Sequence, residues 1–260
     1  MSKHIFWIAS YPKSGNTLLR SIITSLFFSN DGLFNFNLLK KIVSFEEIGR
    51  LKQIVKNNQD KSLLSFINNS NLIYDNILEL QNKSLLGFKE DFAFFKTHFC
   101  AKYNNKNFII NKNTRGIIYI VRDPRDICIS WANHAALPLN ESIDFVLNKN
   151  AVINWTGADK SKQYNKIPVY ISNWQEHVIS WSKEMKTLPS LILRYEDLVY
   201  NKKLIINKII EFFEKELKLK ILNQELKIKN ILKSTDFLKL QKDEKKYGFE
   251  EAIKERQFFS

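Results

Sequence analysis

Phe6-Trp7-Ile8-Ala9-Ser10-Tyr11-Pro12-Lys13-Ser14-Gly15-Asn16-Thr17 is the stretch whose reading decides the fold. The apolar run Ile5 to Ala9 is short and bounded by polar residues, as a buried strand is. Beyond the turn, Leu18, Leu19, Ile22, Ile23, Leu26 and Phe27 recur at helical spacing and form one apolar stripe. A strand that turns straight into an amphipathic helix is a unit of a parallel sheet covered on both faces. In such sheets ligands gather at the carboxyl ends of strands. A helix N-terminus there offers unpaired N–H groups and the positive end of the helix dipole to a phosphate. Lys13 adds a positive charge, Ser14, Asn16 and Thr17 add polar groups, and Gly15 permits close backbone approach. The pattern G-x-x-x-x-G-K-[ST] is not met, because no Gly stands ahead of the Lys. An ordinary strand-to-helix turn in which Ser14 caps the helix is the competing reading.

Three further apolar runs read as buried strands: Phe92 to Phe95, Gly116 to Val121 and Leu191 to Leu193. A second helix follows Asp123-Pro124, where Asp can cap and Pro occupies the first helical position. Helices are also expected at 140–149, 173–187, 201–216 and 220–246. The fold class is therefore α/β, a single domain with a parallel β-sheet flanked by helices and a P-loop-like phosphate-binding loop after the first strand. Segment 30–90 has helical periodicity only in patches (Leu38, Ile42, Phe45, Ile48) and reads as an insertion between the first and second strands. Neither an internal repeat nor a Gly/Ser-rich linker is present.

Two more stretches carry chemistry. Gly116-Ile117-Ile118-Tyr119-Ile120-Val121-Arg122-Asp123-Pro124-Arg125-Asp126-Ile127-Cys128-Ile129-Ser130 is again strand, turn and helix. Arg122 at the strand end and Ser130 two helical turns on can hold a phosphate by charge-assisted hydrogen bonds. The bland alternative pairs Arg122 or Arg125 with Asp123 or Asp126. The second stretch is Phe94-Phe95-Lys96-Thr97-His98, which ends a strand. His98 is one of four histidines and stands beside a Lys at a carboxyl end, although a lone His is usually structural.

Together these motifs resemble the cytosolic-type sulfotransferase family, which has a P-loop NTPase-like fold. Tyr-Pro-Lys-Ser-Gly-Asn-Thr is similar to its 5′-phosphosulfate loop, Arg-x₇-Ser to its 3′-phosphate site, and Lys-Thr-His to its catalytic segment. The resemblance implies 3′-phosphoadenosine 5′-phosphosulfate (PAPS) as donor and an acceptor hydroxyl or amine. It also implies His98 as general base, with Lys13 and Lys96 stabilising charge on the departing phosphate oxygen. Donor-binding residues would be Lys13, Ser14, Gly15, Asn16, Thr17, Leu18, Arg122, Ser130, Tyr195, Thr235 and Phe237. The family usually has Trp where this chain has Leu18, so that stacking contact is in question. Tyr195, in Leu191-Ile192-Leu193-Arg194-Tyr195-Glu196-Asp197-Leu198, matches a position near the adenosine but equally reads as a core Tyr. Thr235-Asp236-Phe237 resembles the family's adenine-side helix, although an aromatic on a helix is usually core. After Gln257-Phe258-Phe259 the family continues into a basic, Gly-containing loop. Ser260 stands in the place of its Arg, so residues 1–260 are expected to form a sulfotransferase domain lacking that closing loop. Segment 30–90 and the loop around Asn154 to Ile167 are where acceptor specificity is expected, for a small molecule or a glycan.

Composition excludes more than it assigns. The 260 residues are 44% hydrophobic and 13% aromatic, enough for a sizeable core, so a wholly disordered chain is excluded. Seven Gly, five Pro and two Cys exclude collagen-like and disulfide-scaffold classes. The net charge of +13 accompanies a general richness in Asn, Lys, Ile and Phe. It reads equally as compositional background or as the footprint of an anionic ligand. No nucleic-acid partner is expected, because Phe and Lys are scattered rather than interleaved on one surface. No membrane partner is expected either, since no apolar run approaches the ~20 residues of a span. A cytoplasmic location follows from the few cysteines and the short N-terminal apolar run. No metal is implied, there being no His/Cys/carboxylate cluster at ligand spacing. Two rivals stay open: a degenerate family member that binds nucleotide without turnover, and a P-loop phosphotransferase.

Overall fold

The computed structural model describes residues 4–47, 69–86, 88–153 and 167–249. Strand β1 (His4–Ser10) leads through the turn into helix α1 (Asn16–Phe28), and β2 (Val43–Ser44) follows a short 3₁₀ turn over Phe36–Lys41. Helices α2 (Ser70–Asp75) and α3 (Ile77–Leu85) precede β3 (Phe92–Thr97). A small hairpin of β4 (Lys102–Tyr103) and β5 (Lys106–Asn107) then leads to β6 (Thr114–Val121), α4 (Pro124–Ala135) and α5 (Leu139–Leu147). β7 (Val152–Ile153) pairs antiparallel with β8 (Val169–Tyr170), ahead of α6 (Trp174–Glu184) and β9 (Ser190–Arg194). Helices α7 (Tyr195–Tyr200), α8 (Lys202–Lys215), α9 (Gln224–Ser234) and α10 (Phe237–Tyr247) complete the order.

The fold is α/β, with a central parallel sheet of five strands in the order β2-β3-β1-β6-β9. From β1 the chain builds outward through β3 to one edge and through β6 to the other. The carboxyl end of β1 is thus a topological switch point, the usual place for a ligand in such sheets. All four expected strands are present. The fifth, β2, is a two-residue edge strand inside the stretch expected to be an insertion, so part of segment 30–90 belongs to the sheet. Residues 48–68 and 87 of that segment lie outside the described residues, as do most of the 154–167 loop and the Gln257–Ser260 end.

Helix boundaries follow their caps. The Asp123 side chain accepts from the Arg125 amide and Pro124 opens α4, as expected. The single helix expected over 220–246 is corrected to two. The Thr235 amide and hydroxyl both close onto the Ile231 carbonyl, ending α9, and Asp236 starts α10 by accepting from the Lys239 amide. At the front, Asn223 is left-handed, so α9 begins only at Gln224.

The residues group into two compact units. The first comprises Met1–Tyr11, Ser44–Tyr119 and Asp144–Ser190, and the second Pro12–Val43, Ile120–Ile143 and Leu191–Ser260. The first has an aromatic core. Trp7 meets Phe45 edge-on at 5.1 Å and Phe108 at 4.9 Å between ring centroids, and Phe108 stacks on Phe99 at 5.1 Å. Its parallel register pairs Ala9 with Thr97, which puts Ser10 beside His98. The second unit packs α1 on α8, with Phe27 against Phe213 at 4.6 Å, and Ile205, Ile206, Ile209 and Ile210 on the buried face of α8.

Candidate active site

In the second unit, the phosphate loop is bent by two residues with positive φ, Lys13 at 63° and Gly15 at 91°. A non-glycine residue in the left-handed region costs about 1 kcal/mol or more, so its surroundings must hold it there. The Arg122 Nη1 does so by donating to the Lys13 carbonyl at 3.0 Å. Gly15 is required for a second reason: a Cβ there would lie 2.3 Å from Cδ2 of Tyr195. The Tyr195 ring also meets the Arg122 guanidinium, whose Cζ is 4.3 Å from the ring centroid. Lys13, Arg122, Tyr195 and Gly15 therefore close a circle of contacts that shapes the loop. Glu196 accepts from the Asp123 amide at 2.9 Å and joins the turn after β9 to the turn after β6.

Ser14 does not cap α1. The N-cap position is Gly15, and no side chain closes the first turn. The Ser14 hydroxyl is fully buried and has no hydrogen-bond partner. Leaving a buried hydroxyl unmade costs about 1–3 kcal/mol. The loop thus keeps an unmet hydroxyl beside a Lys and a helix start without a side-chain cap, groups of the kind that can hold an anion. The bland salt bridge falls to Arg125 instead: its Nη2 is 2.6 Å from Oδ2 of Asp123, and its hydrogen bond holds that carboxyl at about 2. Arg122 comes only to 3.9 Å of Asp126.

In the first unit, His98 caps the end of β3. Its Nδ1 is 2.9 Å from the Ser10 carbonyl, with the Ser10 hydroxyl at 3.2 Å from the same nitrogen. A carbonyl only accepts, so Nδ1 carries the hydrogen and the lone pair of the neutral ring is on Nε2. Glu46, buried after β2, accepts the His98 amide at 2.7 Å on Oε1, and the Ser44 hydroxyl donates to its Oε2. Burial alone would raise the Glu46 carboxyl. The charges of His98 and Lys96, with the hydrogen bonds from Ser44 and the His98 amide, bring it below its ordinary value.

The backbone after His98 is fully accounted for. Nε2 of His177 donates to the His98 carbonyl at 3.2 Å, and Nδ1 of His177 accepts from the Tyr119 hydroxyl at 2.8 Å. Burial pushes His177 down to about 3, so it stays neutral and structural. Phe99 donates to Oγ1 of Thr97 and accepts from Trp181 Nε1. Cys100 donates to the Tyr170 carbonyl and accepts from the Tyr74 hydroxyl. Ala101 donates to the Ser180 hydroxyl and accepts from the Phe108 amide. Each N–H and C=O from His98 to Ala101 is thereby paired.

The sulfotransferase domain family model matches residues 3–260. The chain belongs to the sulfotransferase domain family. Luciferin sulfotransferase of Photinus pyralis is 24% identical over 88% of this chain, and sulfotransferase 1B1 of Mus musculus is 25% identical over 81%. The chain spans 55% and 58% of the lengths of these two relatives. Among solved structures, mouse sulfotransferase SULT7A1 complexed with PAP matches with a TM-score of 0.53 at 20% identity, over 92% of this chain and 66% of that one. Retinol dehydratase in complex with androsterone and PAP matches with a TM-score of 0.58 at 18% identity, over 100% of this chain and 73% of that one. Likeness at these identities is one of fold.

Within this sulfotransferase domain, the structure brings Lys13, Gly15, Arg122 and Tyr195 into mutual contact, with Ser14 buried among the loop residues. Asn16 and Thr17 are buried in the first turn of α1, where Nη2 of Arg20 reaches Oγ1 of Thr17 at 3.4 Å. Leu18 packs against an apolar cluster of Phe34, Leu39 and Leu240 that includes Phe36 and Phe249. Ser130 is half-buried in α4, and no described contact joins it to Arg122. Thr235 is fully buried with its hydroxyl on the Ile231 carbonyl, and Phe237 opens α10 half-exposed. Lys96 is buried in β3 and acts by its charge on Glu46. Glu46 escaped the sequence reading, for nothing in Ser44-Phe45-Glu46-Glu47 signals a partner fifty-two residues on. Among the described residues no helix is long and apolar enough to cross a membrane, and no three His, Cys, Asp or Glu are grouped as a metal site.

Proposed function

We propose that this sulfotransferase domain transfers a sulfuryl group from PAPS to a hydroxyl or amine of a small-molecule acceptor. The observation that carries the reading is the phosphate loop, with a buried, unpartnered Ser14 hydroxyl and a Gly15 position that admits no Cβ. These features suit a phosphate oxygen held close to the backbone. Two solved relatives of the same fold hold PAP, the desulfated form of that donor. Lys13, Ser14, Gly15, Asn16 and Thr17 would hold the 5′-phosphate, Arg122 and Ser130 the 3′-phosphate, and Leu18, Tyr195, Thr235 and Phe237 the nucleoside.

His98 would act as general base. The Ser10 carbonyl holds its Nδ1–H, so Nε2 is the atom that takes the acceptor proton. The new bond joins the acceptor oxygen or nitrogen to sulfur, and the bond from sulfur to the 5′-phosphate oxygen breaks. Its electron pair stays on that oxygen, where Lys13 and Lys96 stabilise the charge. Segment 30–90 would contribute to acceptor choice, in keeping with Glu46 reaching the His98 backbone from it. Relatives named for luciferin and found with androsterone favour a small molecule over a glycan. A cytoplasmic setting agrees with two buried free cysteines, Cys100 and Cys128.

Thermal unfolding tests the donor assignment. Adenosine 3′,5′-bisphosphate at about 100 times its Kd should add about 2.7 kcal/mol of stability, a rise of several degrees in Tm. ATP and 5′-AMP at the same concentration should add far less. Equal shifts for all three would sink the donor reading.

A further inference from the structure

The search outside the donor loop leads to the buried carboxylate of Glu46. A carboxylate fully removed from water is costly unless charge and hydrogen bonds compensate it. Here the compensation comes from one place: the His98 amide on Oε1, the Ser44 hydroxyl on Oε2, and the positive charge of Lys96, joined by that of His98 when its ring is protonated. Its own backbone is fixed as well, since the Glu46 carbonyl accepts from the Ile167 amide at 2.7 Å. The neighbouring Phe45 amide donates to the Lys96 carbonyl at 3.0 Å, so the turn after β2 is stitched to β3 directly before His98.

We propose that Glu46 is a positioning residue for His98: its carboxylate anchors the backbone of the base and stabilises the imidazolium that forms when the ring takes up a proton. The inference rests on the reading of His98 as general base. It concerns a residue of segment 30–90 that the loop and strand-end motifs do not include. The groups around the ring decide the balance of charge. From β1, Ser10 contributes a carbonyl and a hydroxyl, neither of which ionises. From β3 comes the cation Lys96, which opposes a second positive charge on His98. From α6 comes His177, which is neutral, with Tyr119 and Tyr11 lying against its ring. Glu46 is thus the one anion among the groups named in this set, and its charge opposes that of Lys96. With a carboxylate present, the imidazolium is matched by a counter-charge while the acceptor loses its proton. Without it, the buried imidazolium would lack that counter-charge.

The test reads the ring rather than the reaction. In chain carrying ¹⁵N-labelled histidine, the titration of His98 is followed by NMR, its resonance assigned by its loss in His98→Asn. In Glu46→Gln, which keeps an oxygen for the His98 amide but no charge, the His98 midpoint should fall by about one pH unit. Glu46→Asp, which keeps the charge, should fall by less than half as much. A midpoint unchanged in Glu46→Gln overturns the proposal, as does an equal fall in both variants. If Glu46→Gln does not fold, ¹³C-carboxyl-labelled glutamate in the unaltered chain carries the decision. One carboxyl should titrate below the ordinary glutamate range and show a second inflection at the His98 midpoint. Absence of such a carboxyl overturns the proposal. None of these measurements uses a donor, so their failure leaves the sulfotransferase reading standing. A failure of the bisphosphate to stabilise the chain would strike that reading and leave the coupling of Glu46 to the His98 ring standing.

Discussion

The segment from His98 to Ala101 and the loop from Pro12 to Asn16 follow neighbouring strands of one sheet, yet they are finished in opposite ways. In the first, every backbone polar group has a partner, supplied by Glu46, His177, Thr97, Trp181, Tyr170, Tyr74, Ser180 and Phe108. The second keeps a buried hydroxyl without a partner, lacks a side-chain cap on its helix and holds a left-handed Lys. A base must present one nitrogen at a fixed angle, which favours saturation of everything around it. A phosphate site must offer donors, which favours leaving them unsatisfied until the ligand arrives. On the proposed function, the same fold places rigidity where a proton would move and an unmet hydrogen bond where an anion would bind.

Substitution can break that contrast, most strongly at the base. His98→Ala should lower sulfuryl transfer by about 10²–10⁴-fold. The Kd for adenosine 3′,5′-bisphosphate, measured by calorimetry, should stay within about twofold. If affinity fell with the rate, the two regions would not be separable in the way their hydrogen bonding implies. Gly15→Ala attacks the other side. Its Cβ would overlap the Tyr195 ring on a backbone at φ 91°, costing about 3 kcal/mol in urea unfolding and at least tenfold in bisphosphate affinity. Adding Tyr195→Ala removes the overlap but not the backbone strain, so only part of the loss should return. Full recovery would show that φ at this position carries no cost.

A smaller effect sharpens the account of the saturated segment. Above pH 6.5 His177 is neutral in the folded and unfolded chain alike. Below that, the unfolded chain takes up a proton that the buried ring refuses down to about pH 3. Stability should therefore fall with pH by about 1.4 kcal/mol per unit, or about 2 kcal/mol at pH 5. Urea unfolding of His177→Gln beside the unaltered chain should lack that part of the slope. Identical slopes would mean the ring is protonated in place, so that its Nδ1 no longer accepts from the Tyr119 hydroxyl as described.

The sheet was legible because β1, β3 and β6 are largely buried on both faces and read as unbroken apolar runs, and the edge strand β9 keeps Leu191-Ile192-Leu193 although Ile192 is half-exposed. β2 was not, since two residues at an edge carry no period. The joint between α9 and α10 was hidden for a different reason: the sequence around it keeps helical character, and only the bonds made by Thr235 and Asp236 interrupt it. At the site, local motifs marked Lys13, Ser14, Gly15, Arg122 and His98, whose roles begin with strand ends. Long-range partners went unread. Glu46 meets His98 through the pairing of β2 with β3, and the Tyr195 ring meets Gly15 through the sheet order, neither of which any spacing encodes. Ser14 shows the limit most sharply, for a Ser that caps a helix and one left buried without a partner look alike in a string of letters.

The contact between Gly15 and Tyr195 also bears on how the chain matures at the ribosome. The two positions are separated by 180 residues (195 − 15), so the loop near the N-terminus cannot take its final shape when it emerges. At ordinary synthesis rates of ~5–20 residues per second, roughly 10–35 seconds pass before its partner ring exists. Until then the nascent chain carries a first strand and helix with no fixed bend between them. The loop that the proposed function gives to the nucleotide, though written first, waits for a ring 180 residues further on (195 − 15).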